Sequence, residues 1–200
     1  MDAPKICTEK PCILDALVIQ LPSSSQSVDG KREKKMRPGE FIDNRYQIIK
    51  EIGKGGGGIV FLANHLSLKQ KVVLKQIKFA DSYTDQKMLR NEVDILKRLK
   101  HPALPQVYDF LKIDGLVFTA MEYIPGYSLQ ENMDAGTVFP QEKVLMWARQ
   151  LSDILEYMHT RKHPVIHRDI KPSNIMLKPD WNVSLINFNI SDDTATSYGV

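Results

Sequence analysis

The densest set of chemically active residues in this chain is the run His167-Arg168-Asp169-Ile170-Lys171-Pro172-Ser173-Asn174. It follows the apolar segment Pro164-Val165-Ile166. An aspartate can accept a proton, a lysine supplies a fixed positive charge, and an asparagine offers a carbonyl oxygen as a ligand. A loop that serves only the fold rarely needs all of these residue types at such close spacing. The run therefore indicates a catalytic loop.

A second candidate is the glycine-rich segment Gly53-Lys54-Gly55-Gly56-Gly57-Gly58-Ile59-Val60, which fits the pattern G-x-G-x-x-G-x-V. Strand-like residues lie on both sides, in Tyr46–Ile52 and Ile59–Ala63. The segment therefore joins two strands and does not open a helix, as the dinucleotide-binding motif would. Backbone amides of such a turn can close over phosphate groups. Taken alone, the motif fits an ordinary hairpin turn equally well.

A third candidate is Lys75, near the end of the β-branched run Lys71–Ile77. An ammonium group that faces inward from a strand is costly unless it is paired. Glu92 is a natural partner, since it lies on a helix predicted from about Thr84 to Lys100. The alternative is that both residues lie at the surface, which is the commoner position of lysine and glutamate.

The surrounding pattern predicts an α+β fold in two lobes. Three strand-like runs precede the helix of Glu92, and two shorter runs follow it, joined by a hairpin turn at Asp114-Gly115. After Pro125-Gly126, apolar residues recur at helical spacing. They are Val144, Trp147, Leu151, Ile154, Leu155 and Met158. This order predicts a small antiparallel sheet with one helix, and then a helical region.

Composition excludes several classes of protein. Of 200 residues, 42% are hydrophobic and 26% charged, as in ordinary globular domains. A net charge of +3 is too small to indicate nucleic-acid binding. The apolar run Ile13–Leu21 is too short to span a membrane. Only Cys7 and Cys12 are present, without zinc-site spacing, which fits a reducing cytoplasm.

The first 43 residues differ from the rest and are predicted to form a flexible leader. They contain the serine-rich stretch Pro22–Ser27 and the basic run Lys31–Arg37. Such segments cannot bury enough apolar surface to offset the entropy lost on ordering. The basic run fits a solvated linker, and contact with an acidic partner or lipid headgroups is the alternative.

Taken in order, the glycine segment, Val72-Val73-Leu74-Lys75, the helical glutamate and the catalytic loop resemble a eukaryotic-type (Hanks-type) protein kinase domain. Lys171-Pro172-Ser173-Asn174 resembles the serine/threonine branch, and the general character is similar to bacterial members. The resemblance covers residues 44–200. It implies a complete β-rich N-lobe over about 44–121, a hinge over about 122–126 and the first part of a helical C-lobe over 127–200. It also implies transfer of the γ-phosphate of ATP to serine or threonine hydroxyls of a protein substrate.

The resemblance also assigns roles to individual residues. Lys75 would hold the α- and β-phosphates and would be kept in place by Glu92. Asp169 would accept the proton of the substrate hydroxyl, Lys171 would offset charge on the transferred group, and Asn174 would bind Mg²⁺. Further residues would contact ATP through the glycine loop, the adenine pocket and the hinge: Ile52, Gly53, Gly55, Gly58, Val60, Val73, Met121, Glu122, Ile124 and Met176.

The motif that normally supplies the second metal ligand is altered. Asn187-Phe188-Asn189 follows the apolar strand Val183–Ile186, where the family has Asp-Phe-Gly. Magnesium prefers anionic oxygen, and a carboxamide at Asn187 keeps one oxygen but loses the charge. We therefore expect weak magnesium binding and impaired phosphotransfer, although ATP can still bind. The alternative is a pseudokinase, a nucleotide-binding or scaffolding module without phosphotransfer. A small-molecule phosphotransferase of related fold is more remote.

The position of Val200 is a second departure from the family pattern. Family members continue through an activation segment into several helices that pack on the helix of Val144 to Met158. We therefore expect either that the chain is a fragment, or that a protein partner covers an apolar stripe on this helix.

Overall fold

Strands form most of the first half of the described structure. The computed structural model describes residues 36–55, 58–77 and 83–187, and within its first helix it leaves aside the side chains at 83–86, 88, 89 and 92. A six-stranded sheet has the order β1-β2-β3-β4-β6-β5, with every neighbouring pair antiparallel. Its strands are β1 (Phe41–Ile42), β2 (Tyr46–Gly55), β3 (Gly58–His65), β4 (Gln70–Ile77), β5 (Val107–Ile113) and β6 (Leu116–Glu122). The predicted antiparallel series is confirmed.

Alternation along β3 and β4 gives this sheet two apolar faces. Phe61 and Leu74 belong to the main core of the N-lobe, whereas Val60 and Val73 belong to a separate cluster on the opposite face. Successive strand residues point to opposite faces, so one sheet builds both the lobe core and one wall of a cleft. The hairpin between β5 and β6 turns at Asp114 and Gly115, both at positive φ, as predicted.

Helix α1 (Tyr83–Lys97) follows β4 and ends earlier than the predicted Lys100. The amides of Arg98 and Leu99 bond to carbonyls three residues back, at Ile95 and Leu96, so the last turn tightens. Pro102 follows closely and cannot continue a helix.

The C-lobe in the described part is built around one long helix. It contains β7 (Tyr127–Ser128), α2 (Leu129–Asp134), α3 (Gln141–His159), a 3₁₀ turn (Pro172–Asn174), β8 (Ile175–Leu177) and β9 (Val183–Leu185). Strands β7, β8 and β9 form a small antiparallel sheet in that order. Trp147, Ile154 and Met158 of α3 are buried in one core with Val183 and Leu185 of β9. No helix within the described ranges is long and apolar enough to cross a bilayer.

Helix α3 also fixes the turn between β8 and β9. The indole Nε1 of Trp147 donates to the carbonyl of Trp181 at 2.7 Å. Gln150 donates to the Asn182 side chain at 2.6 Å and accepts from the Val183 amide at 2.9 Å. These bonds set where β9 begins, and therefore where the chain that follows β9 lies.

The connection between the lobes passes close to β8 at Gly126. This residue has φ 122°, and a Cβ built on it would lie 2.0 Å from the carbonyl oxygen of Leu177. Any other residue would collide with backbone here, so glycine is required for the chain to cross β8.

The predicted leader boundary at residue 43 is too late. Met36 and Ile42 are buried, and β1 pairs with the start of β2. The Gly39 amide donates to the Ile48 carbonyl, and the Ile48 amide donates to the Glu40 carbonyl. Burial of these apolar side chains offsets the ordering cost that the polar composition suggested. Residues 1–35, including most of the basic run, lie outside the described residues.

Candidate active site

Asp169 is held by two polar side chains of its own loop. The Asn174 Nδ2 donates to the Asp169 backbone carbonyl at 2.7 Å and to its Oδ2 at 2.9 Å. The Lys171 Nζ lies 2.9 Å from the same Oδ2. The 3₁₀ turn brings these residues together, because the Asn174 amide donates to the Lys171 carbonyl and folds the loop back. The predicted catalytic residues Asp169 and Lys171 are therefore adjacent.

These contacts keep Asp169 ionised. Desolvation raises the pKa of this carboxyl, but hydrogen bonds from Lys171 and Asn174, together with the positive charge of Lys171, outweigh it. Its pKa consequently lies below the ordinary value. An ionised carboxylate oriented in this way can accept a hydrogen bond from a hydroxyl and then its proton.

His167 joins the loop to the segment after β9, a role that the sequence analysis did not assign. Its ring is 1% exposed, and Nε2 donates to the Ile186 carbonyl at 2.8 Å. The Nδ1 atom accepts from the Asp169 amide at 3.3 Å, so the ring is the neutral Nε2–H form. Burial lowers the pKa of His167. A histidine directly after the apolar Val165-Ile166 was the available signal.

Asn187 lies against Asn174. The Ile186 amide donates to the Asn174 carbonyl at 2.9 Å, which places the next residue beside the loop. The Asn187 Nδ2 then donates to the Asn174 Oδ1 at 2.6 Å. Asn187 is 4% exposed, and its own Oδ1 accepts no hydrogen bond from the described residues. Phe188 and Asn189 lie outside the described residues.

This arrangement does not fit a magnesium ion. The Asn187 amide presents an N–H group to Asn174, where a metal would need a second oxygen. The nearby carboxylate of Asp169 already binds Lys171 and Asn174 through Oδ2. Within residues 36–55, 58–77 and 83–187, no group of three or more histidine, cysteine, aspartate or glutamate residues could hold a metal ion.

The predicted adenine-contact residues form two apolar groups. Ile52, Val60 and Val73 are buried in one cluster of the sheet, with Met121 packed against it. A second cluster contains Met176 of β8, Ile124 of the connection between the lobes, and Ile186, which directly follows β9.

The hinge residue Glu122 is fixed through its neighbour Gln106. The Glu122 amide donates to the Gln106 carbonyl at 2.8 Å, and the Glu122 carboxylate accepts from the Gln106 amide at 3.1 Å. The N–H of Glu122 is therefore used inside the protein.

Lys75 is 1% exposed on β4, where it pairs with Val60 of β3 and Thr119 of β6. It therefore occupies the interior position that the sequence predicted. Glu92 lies on α1, but its side chain is outside the described residues, so the Lys75–Glu92 pair stays a prediction.

The glycine segment forms the predicted hairpin between β2 and β3. Gly53 pairs with Val60, and Gly55 pairs with Gly58 across the turn. Gly58 has φ 142°, and a Cβ at this position would lie 1.8 Å from the Gln76 carbonyl oxygen of β4. Gly58 is therefore required for β3 to approach β4, whatever the turn binds. Gly56 and Gly57, at the tip, lie outside the described residues.

A family model described as the protein kinase domain matches residues 46–198, a stretch that contains the strands from β2 onward, the catalytic loop and Asn187. The chain belongs to the protein kinase family. Its curated relatives place this kinase domain among Hanks-type serine/threonine kinases, and its N-lobe sheet and partial helical C-lobe have the expected architecture.

The kinase domain resembles proteins of bacteria and eukaryotes alike. It is 32% identical over 157 residues to the serine/threonine-protein kinase PrkC of Bacillus subtilis, covering 76% of this chain and 24% of that protein. It is 33% identical over 144 residues to human serine/threonine-protein kinase Nek5, covering 70% of this chain and 20% of that protein. Among solved structures, the Mycobacterium tuberculosis PknI kinase domain is 26% identical with a TM-score of 0.67, covering 79% of this chain and 64% of that one. The chain thus spans about a quarter or less of these curated relatives.

Proposed function

We propose that this chain binds ATP between its two lobes and transfers the γ-phosphate to serine or threonine hydroxyls of a protein, at a rate that Asn187 strongly reduces. The observation that carries the proposal is the held, ionised Asp169, with Lys171 on the same carboxylate. An oriented base and an adjacent cation are the parts that such a transfer requires of the protein.

The apolar clusters support nucleotide binding. Ile52, Val60 and Val73 would cover one face of the adenine, and Met176 the other. The Glu122 carbonyl and the backbone of Ile124 would read the edge of the base. Lys75 would pair with phosphate oxygens, and the backbone of Gly53, Gly55 and Gly58 would border the phosphates. A buried ammonium group is well suited to hold them, because low dielectric strengthens the attraction.

The expected weakness follows from charge. Phosphoryl transfer depends mostly on positioning and on electrostatic stabilisation of the transferred group. At Asn187 the chain offers a neutral amide, and that amide is bonded to Asn174. Positive charge at the transferred group would then come from Lys75 and Lys171, and Asp169 would orient the hydroxyl without help from a well-held ion.

The specific observation that favours a pseudokinase is the same Asn174–Asn187 hydrogen bond. It occupies both positions that the family uses for a metal. In this second candidate the chain binds nucleotide and acts through a partner without transferring phosphate.

An assay of the 200-residue chain with labelled ATP and a generic protein substrate separates the candidates. We expect slow transfer that Asp169→Asn lowers about 10²-fold or more, since the variant removes the base. As a control, the Asn64→Asp variant adds a negative charge on β3, away from the catalytic loop, and should leave the rate unchanged. Transfer at the brisk rate of active kinases would contradict the proposed weakness. Equal rates for the chain and Asp169→Asn, with ATP still bound, would favour the pseudokinase.

Partner and location stay predictions. Of the expected apolar stripe on α3, Val144 is 47% exposed, whereas Trp147, Ile154 and Met158 are buried in the core with β9. We retain a protein partner at this surface and a cytoplasmic location as proposals from the sequence.

A further inference from the structure

The orientation of the Asn174 side chain is determined by its bonds to Asp169. Its Nδ2 donates to two Asp169 oxygens, the backbone carbonyl at 2.7 Å and Oδ2 at 2.9 Å. Rotating the amide by half a turn would place Oδ1 against both oxygens and break both bonds. The Asn174 Oδ1 therefore points away from Asp169, toward Asn187.

The orientation of Asn187 follows from this. Only its Nδ2 can face the Asn174 Oδ1, which it contacts at 2.6 Å, since the opposite orientation would bring two carbonyl oxygens together. The Asn187 Oδ1 is consequently directed elsewhere, and among the described residues nothing donates to it. A divalent ion between these side chains would require the Asn187 amide to turn its Oδ1 toward Asn174, which would break the Asn187–Asn174 hydrogen bond and would still supply no anionic oxygen.

The backbone holds Asn187 in place as well. Ile186, directly before it, bonds to the Asn174 carbonyl through its amide and to His167 through its carbonyl. Asn187 itself has φ 66°, in the left-handed region that asparagine tolerates better than most residues. Its amide therefore meets Asn174 from a fixed backbone position.

We propose that the Asn187 amide takes the place of the divalent cation in this chain, so that adenine nucleotides bind without magnesium, and that Asn187→Asp creates a magnesium-dependent nucleotide site. The proposal rests on the nucleotide binding given under the proposed function. The N–H group of Asn187 is neutral and already bonded, so magnesium brought by ATP finds no anionic ligand at this position. An aspartate there supplies the anionic oxygen that the ion prefers.

The test is a titration of the 200-residue chain with ATP, in EDTA and in excess Mg²⁺. We expect the dissociation constant of the unchanged chain to agree within about twofold between the two conditions. For Asn187→Asp we expect Mg²⁺ to tighten ATP binding about tenfold or more. Asn64→Asp, which adds the same charge on β3, should behave like the unchanged chain.

The outcomes distinguish a failure of this inference from a failure of the proposed nucleotide binding. Tighter ATP binding by the unchanged chain in Mg²⁺ than in EDTA, by about tenfold or more, would overturn the inference and leave nucleotide binding intact. Absence of ATP binding both in EDTA and in Mg²⁺ would overturn this inference and the proposed nucleotide binding together. The comparison on the unchanged chain decides the first part of the proposal even if Asn187→Asp fails to fold. Asn187→Ala, which removes the amide without adding charge, should remain indifferent to Mg²⁺; a gain of magnesium dependence in this variant would also overturn it.

Discussion

Both ring nitrogens of His167 form hydrogen bonds inside the protein, so the stability of the fold depends on this ring staying neutral. Nε2 donates to Ile186 and Nδ1 accepts from the Asp169 amide. Adding a proton to Nδ1 would set two N–H groups against each other in a buried site. The folded protein therefore resists protonation of this ring, in agreement with its lowered pKa, which results chiefly from burial.

We expect the free energy of unfolding to fall as the pH drops below 6.5, the ordinary pKa of histidine. In that range the unfolded chain binds a proton that folded His167 does not, so protonation favours unfolding. Asp169 also has a lowered pKa, but its contribution is lost only below its ordinary 3.8. Urea denaturation at about pH 7.5 and pH 5.5 measures the difference.

The matched variants are His167→Gln and His101→Gln. His167→Gln should reduce the loss of stability between the two pH values. His101 has a pKa that burial lowers, and its replacement should remove a separate part of the loss. An unchanged pH dependence in His167→Gln would contradict this role of the buried ring.

The sequence predicted which individual residues form the catalytic loop, but not all of the hydrogen bonds that they make. The spacing of Asp169, Lys171 and Asn174 was enough to predict a catalytic loop, because a single turn brings them together. The Asn174–Asn187 bond joins residues 13 positions apart, and its geometry depends on β9 and His167. Local spacing contains no information about such a contact.

Among the elements, the hairpin of β2 and β3 depends on Gly58 for a reason unrelated to phosphate. We expect Gly58→Ala to reduce the free energy of unfolding by about 3 kcal/mol or more, from backbone strain and collision with Gln76. Gly115→Ala is the matched control. Gly115 also has a positive φ, 77°, but open space around its Cβ position. Its replacement should cost only about 1 kcal/mol.

Thermal or chemical denaturation of both variants tests this prediction. Equal losses would mean that β3 and β4 can move apart at no cost, and would contradict the role given to the close approach.

Element types were predicted well and element ends less well. The β-branched runs and the glycine segment predicted β2, β3 and β4, since these strands alternate between two apolar faces. The end of α1 and the ordered residues 36–42 were missed. Both depend on tertiary packing, which offsets weak local propensity.

Considered as a whole, the described part of the molecule has a core that crosses between its lobes. Val93, Leu96 and Leu99 share one cluster with Trp147 and Ile154 of α3. We expect Leu99→Ala to cost about 2–5 kcal/mol, because it leaves a cavity in this shared core. Both lobes should lose stability together.

The chain offers separate probes for this prediction. Its two tryptophans, Trp147 and Trp181, both lie in the C-lobe, so their fluorescence reports that lobe. Far-ultraviolet circular dichroism reports the whole chain. The two unfolding midpoints should shift equally in Leu99→Ala, while the control Leu68→Ala, 54% exposed, should shift neither beyond about 0.5 kcal/mol. A shift confined to circular dichroism would contradict a shared core.

The crossing of Gly126 over β8 has a consequence for motion. Since this residue lies against the backbone of Leu177 and Glu122 is paired in the sheet, a rotation of one lobe against the other would be absorbed by residues 123–125. Gly126 then acts as the pivot. Met176, next to Leu177, stays at a constant distance from the pivot, whereas Val60 and Val73 move with the sheet. Opening and closing of the cleft would therefore move Val60 and Val73 away from or toward Met176, which would stay in place.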